Sequence, residues 1–288
     1  MHHRWYRRWL SGDQGTKLGE PVKIFIMGGG DGRRGEGGRL NHGGAWHTGR
    51  VWPPEDSNPV RFYLQTGGLL SREKPAAKTS SSSYTYDPRN TVSSDSRCEI
   101  AYGPAIDKGF EGMGPRDQIQ LRTLPGHGTP GLPIAARPDV LVFQTEPLAR
   151  DLTVAGNIKA RLFISSDAPD TDFYVKLIDV YPPSVEYPAG YAFPLTDGVL
   201  RARYRESFAR PKLLESGRVV ELTIPIQPTA NKFVAGHRLR IDISSSSFPN
   251  FDPNRNTGRP NDRTWRIANN TVHHDAERAS SIEVGVVE

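Results

Sequence analysis

The sequence predicts an all-β fold, a jelly-roll β-sandwich over residues 59–288, preceded by a short segment of different character over residues 1–58. Two observations carry the prediction. From residue 60 onward eight apolar or alternating runs recur between Gly, Pro, Asn and Asp, among them VRFYLQT, IKARLFISS, DFYVKLIDVY, RVVELTIPI and SIEVGVV, which is the punctuation of an all-β chain. No sustained 3.6-residue period interrupts them.

The elements follow in order. In MHHRWYRRWLSG, Trp5 with Trp9 and Tyr6 with Leu10 stand four residues apart, so their side chains share one helical face and Arg4, Arg7 and Arg8 take the other. Ser11-Gly12 ends that helix. PVKIFIMG reads as one strand, Val22 to Met27, followed by the glycine-rich GGGDGRRGEGGRLNHGGAW. Residues 71–97 are polar and lack apolar periodicity, which predicts a long surface loop or an irregular extension. In HRLRIDIS, Leu239, Ile241 and Ile243 alternate with Arg238, Arg240 and Asp242, as in an antiparallel strand with one wet face.

Composition removes several functional classes. With 36% hydrophobic and 24% charged residues the chain is globular. The net charge of +5 is scattered, so no nucleic acid partner is expected. The single cysteine, Cys98, forms no internal disulfide. No apolar run reaches the roughly 20 residues of a membrane span, and MHHRWYRRWL lacks a signal-peptide centre. A cytoplasmic protein without membrane contact is expected.

Several motifs in the chain have the outline of catalytic or binding sites. Gly30-Asp31-Gly32-Arg33-Arg34-Gly35 matches G-x-G-x-x-G after a strand, but no helix period follows to present N–H groups to a pyrophosphate; no cofactor is expected. G-x-S-x-G occurs nowhere, so no catalytic residue is assigned. Asn250, Asp252, Asn254 and Asn256 alternate like calcium ligands but offer one carboxylate and no closing Glu; a turn locked by Asx hydrogen bonds is expected, and no metal site. His273-His274-Asp275 sits where consecutive side chains point to opposite faces, giving one structural and one exposed histidine. Arg201, Arg203 and Arg205 form a ladder on a strand face, able to meet an acidic partner or to be paired locally. Asn269-Asn270-Thr271 fits a glycosylation sequon.

Four blocks in order, ARPDVLVFQTEPLARDLTVAG, ISSDAPDTDFYVKLIDVYPP, DGVLRARYRESF and ANKFVAGHRLRIDISSSSFPNFDPNRNTG, resemble the C-terminal domain of the Xaa-Pro dipeptidyl-peptidase and cocaine esterase-like (CocE/NonD) serine hydrolases. The amino-terminal RWYRRWLSG is similar to a family helix, with Arg7 in place of its usual aspartate, and PVKIFIMG to the strand that follows it. Residues 91–95 depart from the family's turn. The resemblance implies a galactose-binding-like jelly roll at 59–288 and a remnant of an α/β-hydrolase domain at 1–58. It also implies an acyl-transfer parent enzyme whose nucleophile, acid and base lie upstream, on a missing or separately encoded catalytic domain. The chain itself is then an inactive packing domain that can wall the substrate pocket. Self-association is expected through Trp5, Trp9 and the strand Val22 to Met27, whose apolar faces lack a partner. Two alternatives remain: a stand-alone carbohydrate- or protein-binding module using Trp46, Trp52 and Trp265, and an intact hydrolase with its own Ser and His.

Overall fold

The computed structural model describes residues 2–38, 41–94, 118–120 and 131–287. Cys98 and the last part of the 71–97 segment lie outside the described residues. The elements are α1 (His2–Trp9), β1 (Val22–Gly28), β2 (Gly44–Gly49), β3 (Ser57–Gln65), β4 (Leu69–Ser71), β5 (Ser81–Tyr86), β6 (Leu141–Gln144), β7 (Leu152–Ser166), β8 (Asp172–Tyr181), β9 (Tyr191–Arg201), β10 (Val220–Phe233), β11 (Arg238–Ser244), β12 (Ala268–His273) and β13 (Ser281–Val287). Among the described residues, no helix is long and apolar enough to cross a membrane.

The thirteen strands among the described residues belong to one sheet, in the order β2-β1-β10-β7-β13-β3-β4-β6-β11-β8-β9, with β12 and β5 on a side branch. Strand β7 is the fork. One edge carries β10 along its length, and the other carries β13 over residues 153–161 and then β12 over 163–166. Alternation explains its role, because Ile158, Ala160, Leu162 and Ile164 turn inward while Lys159 and Arg161 face water. At Gly156 (φ +145°) the strand bulges, and a Cβ there would stand 3.2 Å from Pro53 and from the Ser57 hydroxyl; glycine admits that conformation without strain.

The sheet curls until its far end meets its other half. Thr196 Oγ1 on β9 donates to the Gln227 carbonyl on β10 at 2.9 Å, and a Cβ at Gly198 would lie 2.3 Å from the Pro225 carbonyl. The concave side holds Leu64, Phe143, Phe173, Leu222, Ile241 and Ile282, each almost wholly buried. Burying each such side chain contributes about 1.5–3 kcal/mol.

This architecture corrects the expected jelly-roll sandwich preceded by an α/β-hydrolase remnant. The strands form one curled half-barrel sheet instead of two sheets packed face to face. The join is the three-residue β4, which pairs antiparallel with β3 and, through Leu69 and Gln144, parallel with β6. Alternation specifies strands and buried faces but not whether ladders connect, and β4 is too short to show any period. Nor does the amino-terminal segment carry a separate α/β layer. Strand β1 runs antiparallel to β2 from Val22 to Met27 and parallel to β10 at Met27 and Gly28, so it extends the same sheet, with α1 the single α-helix among the described residues.

Two local expectations also change. The 71–97 segment contains β5, whose Tyr84 and Tyr86 point inward while Ser81, Ser83 and Thr85 face out. The polar face of β11 is not wet: Arg240 and Asp242 are 9% and 8% exposed and bind each other in a two-pronged ion pair at 2.6 and 2.7 Å, which neutralises both charges under cover.

Candidate functional site

The segment ISSSSFPNFDPNRNTG leaves the end of β11 and becomes the hub of a buried polar network. Ser245 Oγ lies 2.7 Å from the Tyr84 hydroxyl and accepts from Asn270 Nδ2 at 2.9 Å. Ser246 Oγ accepts the Val92 N–H at 2.8 Å, and Ser244 Oγ donates to the Ser246 carbonyl at 3.0 Å. These hydroxyls close the core; none stands free at a turn as a nucleophile must.

Downstream, the expected Asx turn forms. Asn254 Oδ1 accepts the N–H of Asn256, which holds φ +62°, and Asn256 Nδ2 donates to the Arg266 carbonyl. Asn254 Nδ2 is shared between Asp170 (2.9 Å) and Asp172 (2.7 Å). Asp172 also accepts both prongs of Arg201, at 2.8 and 3.0 Å. Burial pushes the Asp170 carboxyl above its ordinary value, against the opposing Asn254 hydrogen bond. The carboxylates beside Asn254 therefore come from the 170–172 turn, not from the 250–256 alternation. Their D-x-D spacing in APDTDF was the available signal, since side chains two apart share a side.

The arginine ladder does not form on one strand face, because β9 ends at Arg201 and residues 202–204 make a 3₁₀ turn. Arg201 pairs with Asp172, Arg203 lies 3.6 Å from Asp170, and Arg205 donates to the Ala202 carbonyl while lying 3.6 Å from Glu206.

The components of an acyl-transfer triad are present but divided between different histidines. His274 is 2% exposed, with Ser80 Oγ 2.9 Å from Nδ1 and Ser82 Oγ 3.0 Å from Nε2. Asp275 does not orient it; its Oδ1 accepts the N–H groups of Glu277 and Arg278 and its Oδ2 pairs with Arg278. His237 has the carboxylate, Asp179 at 2.8 Å, which also accepts from Asn231. Its ring packs on Tyr181 with centroids 4.2 Å apart; no serine hydroxyl bonds to it among the described residues. A triad needs one imidazole carrying both partners. The expected exposed histidine is also revised: His273 is half-buried and meets Ser165 Oγ at 3.0 Å. The His237–Asp179 pair, 58 residues apart, left no local signal.

Burial holds both His273 and His274 below the ordinary histidine value of 6.5. A lowered folded-state value means that the unfolded chain takes up protons first, so this contribution to stability is complete above about pH 6.5 and is lost as pH falls through the folded values. The melting temperature should drop between pH 7 and pH 5, and His274→Asn should flatten that drop. An unchanged profile in the variant would remove His274 from the account.

The remaining candidates are placed as follows. In the 30–35 glycine motif, the N–H groups of Gly30 and Gly32 donate to the carbonyls of His42 and Asn41, so donors a phosphate would need are already engaged. Asn269 of the sequon binds Asp167 and Thr85 through its amide. Trp46 packs edge-on to Phe25 at 5.3 Å, while Trp52 and Trp265 are 36% and 52% exposed. Trp5, Tyr6 and Trp9 on α1, and Leu10 just after it, stand 51–75% exposed, and the helix buries no residue.

Comparison with known proteins places this geometry. Residues 14–283 match the family described as the X-Pro dipeptidyl-peptidase C-terminal non-catalytic domain. Cocaine esterase of Rhodococcus sp. (strain MB1 Bresler) is 33% identical over 300 residues, covering 100% of this chain and 45% of that protein. The crystal structure of an aminopeptidase from the marine sediment archaeon Thaumarchaeota archaeon superposes with TM-score 0.76 and 32% identity, over 100% of this chain and 43% of that one. A selenomethionine-labelled alpha-amino acid ester hydrolase gives TM-score 0.74 and 29% identity, over 99% and 44%. The chain spans less than half the length of each of these relatives. With a domain-family match over nearly its whole length and a one-third-identical relative, the chain belongs to the cocaine esterase-like serine hydrolases, as their X-Pro dipeptidyl-peptidase C-terminal non-catalytic domain.

Proposed function

We propose that this domain packs against a serine-hydrolase catalytic domain, walls part of its substrate pocket, and does so through residues 1–58. The parent reaction would be acyl transfer through a serine acyl-enzyme, on ester, amide or Xaa-Pro substrates. The relatives named as esterase, aminopeptidase and ester hydrolase support that reaction class. The observation that carries the docking reading is the bare apolar face of Trp5, Tyr6 and Trp9 on α1 with Leu10 just after it, together with the edge strand β2 and its exposed Trp46. Apolar surface of this kind favours a covering partner, and an open sheet edge offers unpaired backbone groups. The single cysteine supports a cytoplasmic location.

In the absence of a catalytic domain the same face, together with Val22 to Met27, should mediate self-association. By sedimentation velocity the chain should sediment faster as concentration rises, and Trp5→Ser/Trp9→Ser should remain monomeric. Because both tryptophans are exposed, that variant should keep its stability within about 0.5 kcal/mol per site. A chain that stays monomeric throughout, or association that persists in the variant, would contradict the reading.

A further inference from the structure

We propose that the groove between the end of β9 and the 252–265 loop is a binding site for a small oxyanion, a phosphate or carboxylate group on a diffusible ligand, with Arg203 at its floor. This goes beyond the packing role proposed above. Arg203 is held by its backbone, whose N–H donates to Asp170 Oδ1 at 3.0 Å. Its side chain is 14% exposed, yet its guanidinium makes no hydrogen bond among the described residues. The nearest carboxylate oxygen, Asp170 Oδ2, stands 3.6 Å from Nε and already accepts Asn254 Nδ2. Nε is buried without a hydrogen-bond partner, facing Asp170 only across this loose ion pair, and the guanidinium carbon lies 5.0 Å from the Tyr204 ring centroid. A guanidinium presents five N–H donors in a rigid fork, and burying such donors unpaired is costly. An acceptor that enters from the groove would complete the arrangement.

The groove around it has the matching chemistry. It encloses about 750 Å³ and is lined by Arg89, Arg201, Arg203, Arg255, Arg259 and Arg263 against two carboxylates, Asp252 and Asp262. Arg89 and Arg201 are committed to Asp87 and Asp172. Arg255 reaches only the Asp262 carbonyl, whereas Arg259 and Arg263 are exposed and form no ion pair among the described residues. Asp262 accepts the N–H and hydroxyl of Thr264 at Oδ1, which holds its carboxyl below the ordinary value and keeps it ionised, so an anion would meet two carboxylates, Asp252 and Asp262, against the arginines. Trp265 forms a half-exposed wall, with Arg89 5.7 Å from its ring centroid. The volume falls within the range of small-molecule pockets, and planar two-pronged recognition of carboxylate or phosphate is what arginine geometry favours.

The test titrates the 288-residue chain with pyrophosphate and, separately, with citrate, reading Trp265 fluorescence against a Trp265→Phe control and the melting temperature at low and high salt. Saturable binding that weakens with salt is expected for at least one probe. Pyrophosphate alone would assign phosphate chemistry, citrate alone carboxylate chemistry, and both the shared oxyanion chemistry. Arg203→Lys keeps the charge beside Asp170 but loses the fork, and should weaken binding about tenfold, the value of one charge-assisted hydrogen bond. Arg259→Ala/Arg263→Ala changes exposed residues that the fold does not use and should weaken binding by at least about as much. Binding of neither probe, or equal affinity in the parent and both variants, would overturn the proposal.

Discussion

Asp172→Ala is expected to destabilise the domain by about 3–5 kcal/mol, the range for removing one member of a buried, hydrogen-bonded ion pair. Asp172 is 6% exposed and accepts three hydrogen bonds, two from Arg201 and one from Asn254. Alanine would strand the guanidinium and leave the Asn254 amide dependent on Asp170, whose own carboxyl is already pushed toward neutrality by burial. The loss should propagate along the chain, because Asn254 also positions the Asn256 turn and, through Arg266, the approach to β12. Asp172→Asn, which retains an acceptor of the same shape, should cost less. Urea unfolding with unchanged m-values measures both. A cost under about 1 kcal/mol for Asp172→Ala would show that Arg201 is satisfied by solvent and that the network is peripheral.

Phe143→Ala is expected to cost about 3–5 kcal/mol, through the lost transfer energy of the ring and the cavity it leaves. Phe143 is 1% exposed on the four-residue β6, and its ring meets His274 edge to face at 5.5 Å. Its surroundings are poorly able to collapse. His274 is fixed by serines at both ring nitrogens, and the strands on either side, β4 and β11, are tied into the ladder. Phe143→Leu should recover most of the loss by restoring volume. The same unfolding series checks this, and a small cost for alanine would mean that the core around β6 repacks freely.

The strands of this fold were more legible than their assembly. Each of the eight apolar runs overlaps a strand, and α1 ends as its i,i+4 face and Ser11-Gly12 predict, because these features depend on nearest-neighbour periodicity. Strands β5 and β12 were missed for a physical reason: SSSYTY and ANNTVH place Ser82, Asn270 and the Tyr hydroxyls on the inward face, so an apolar alternation never develops. The join through β4 and the curl of β9 onto β10 are long-range events with no local period, which is why a two-sheet sandwich was expected where one curled sheet forms. Within the polar network, the Asx turn at 254–256 could be read from its residues. Of its partners, Asp170 and Asp172 showed only their D-x-D spacing and Arg201 nothing local, and none could be joined to the turn, since they arrive from 50 to 85 positions away.

The central claim is that no serine among the described residues stands as an acyl-transfer nucleophile, the serine–histidine and histidine–aspartate contacts being divided between His274, His273 and His237. Intact-mass measurement of the purified chain after incubation with a fluorophosphonate tests it most directly. The account predicts the unmodified mass and no burst of p-nitrophenol from p-nitrophenyl acetate; a stoichiometric adduct on any serine, Ser80 and Ser82 beside His274 above all, would contradict it.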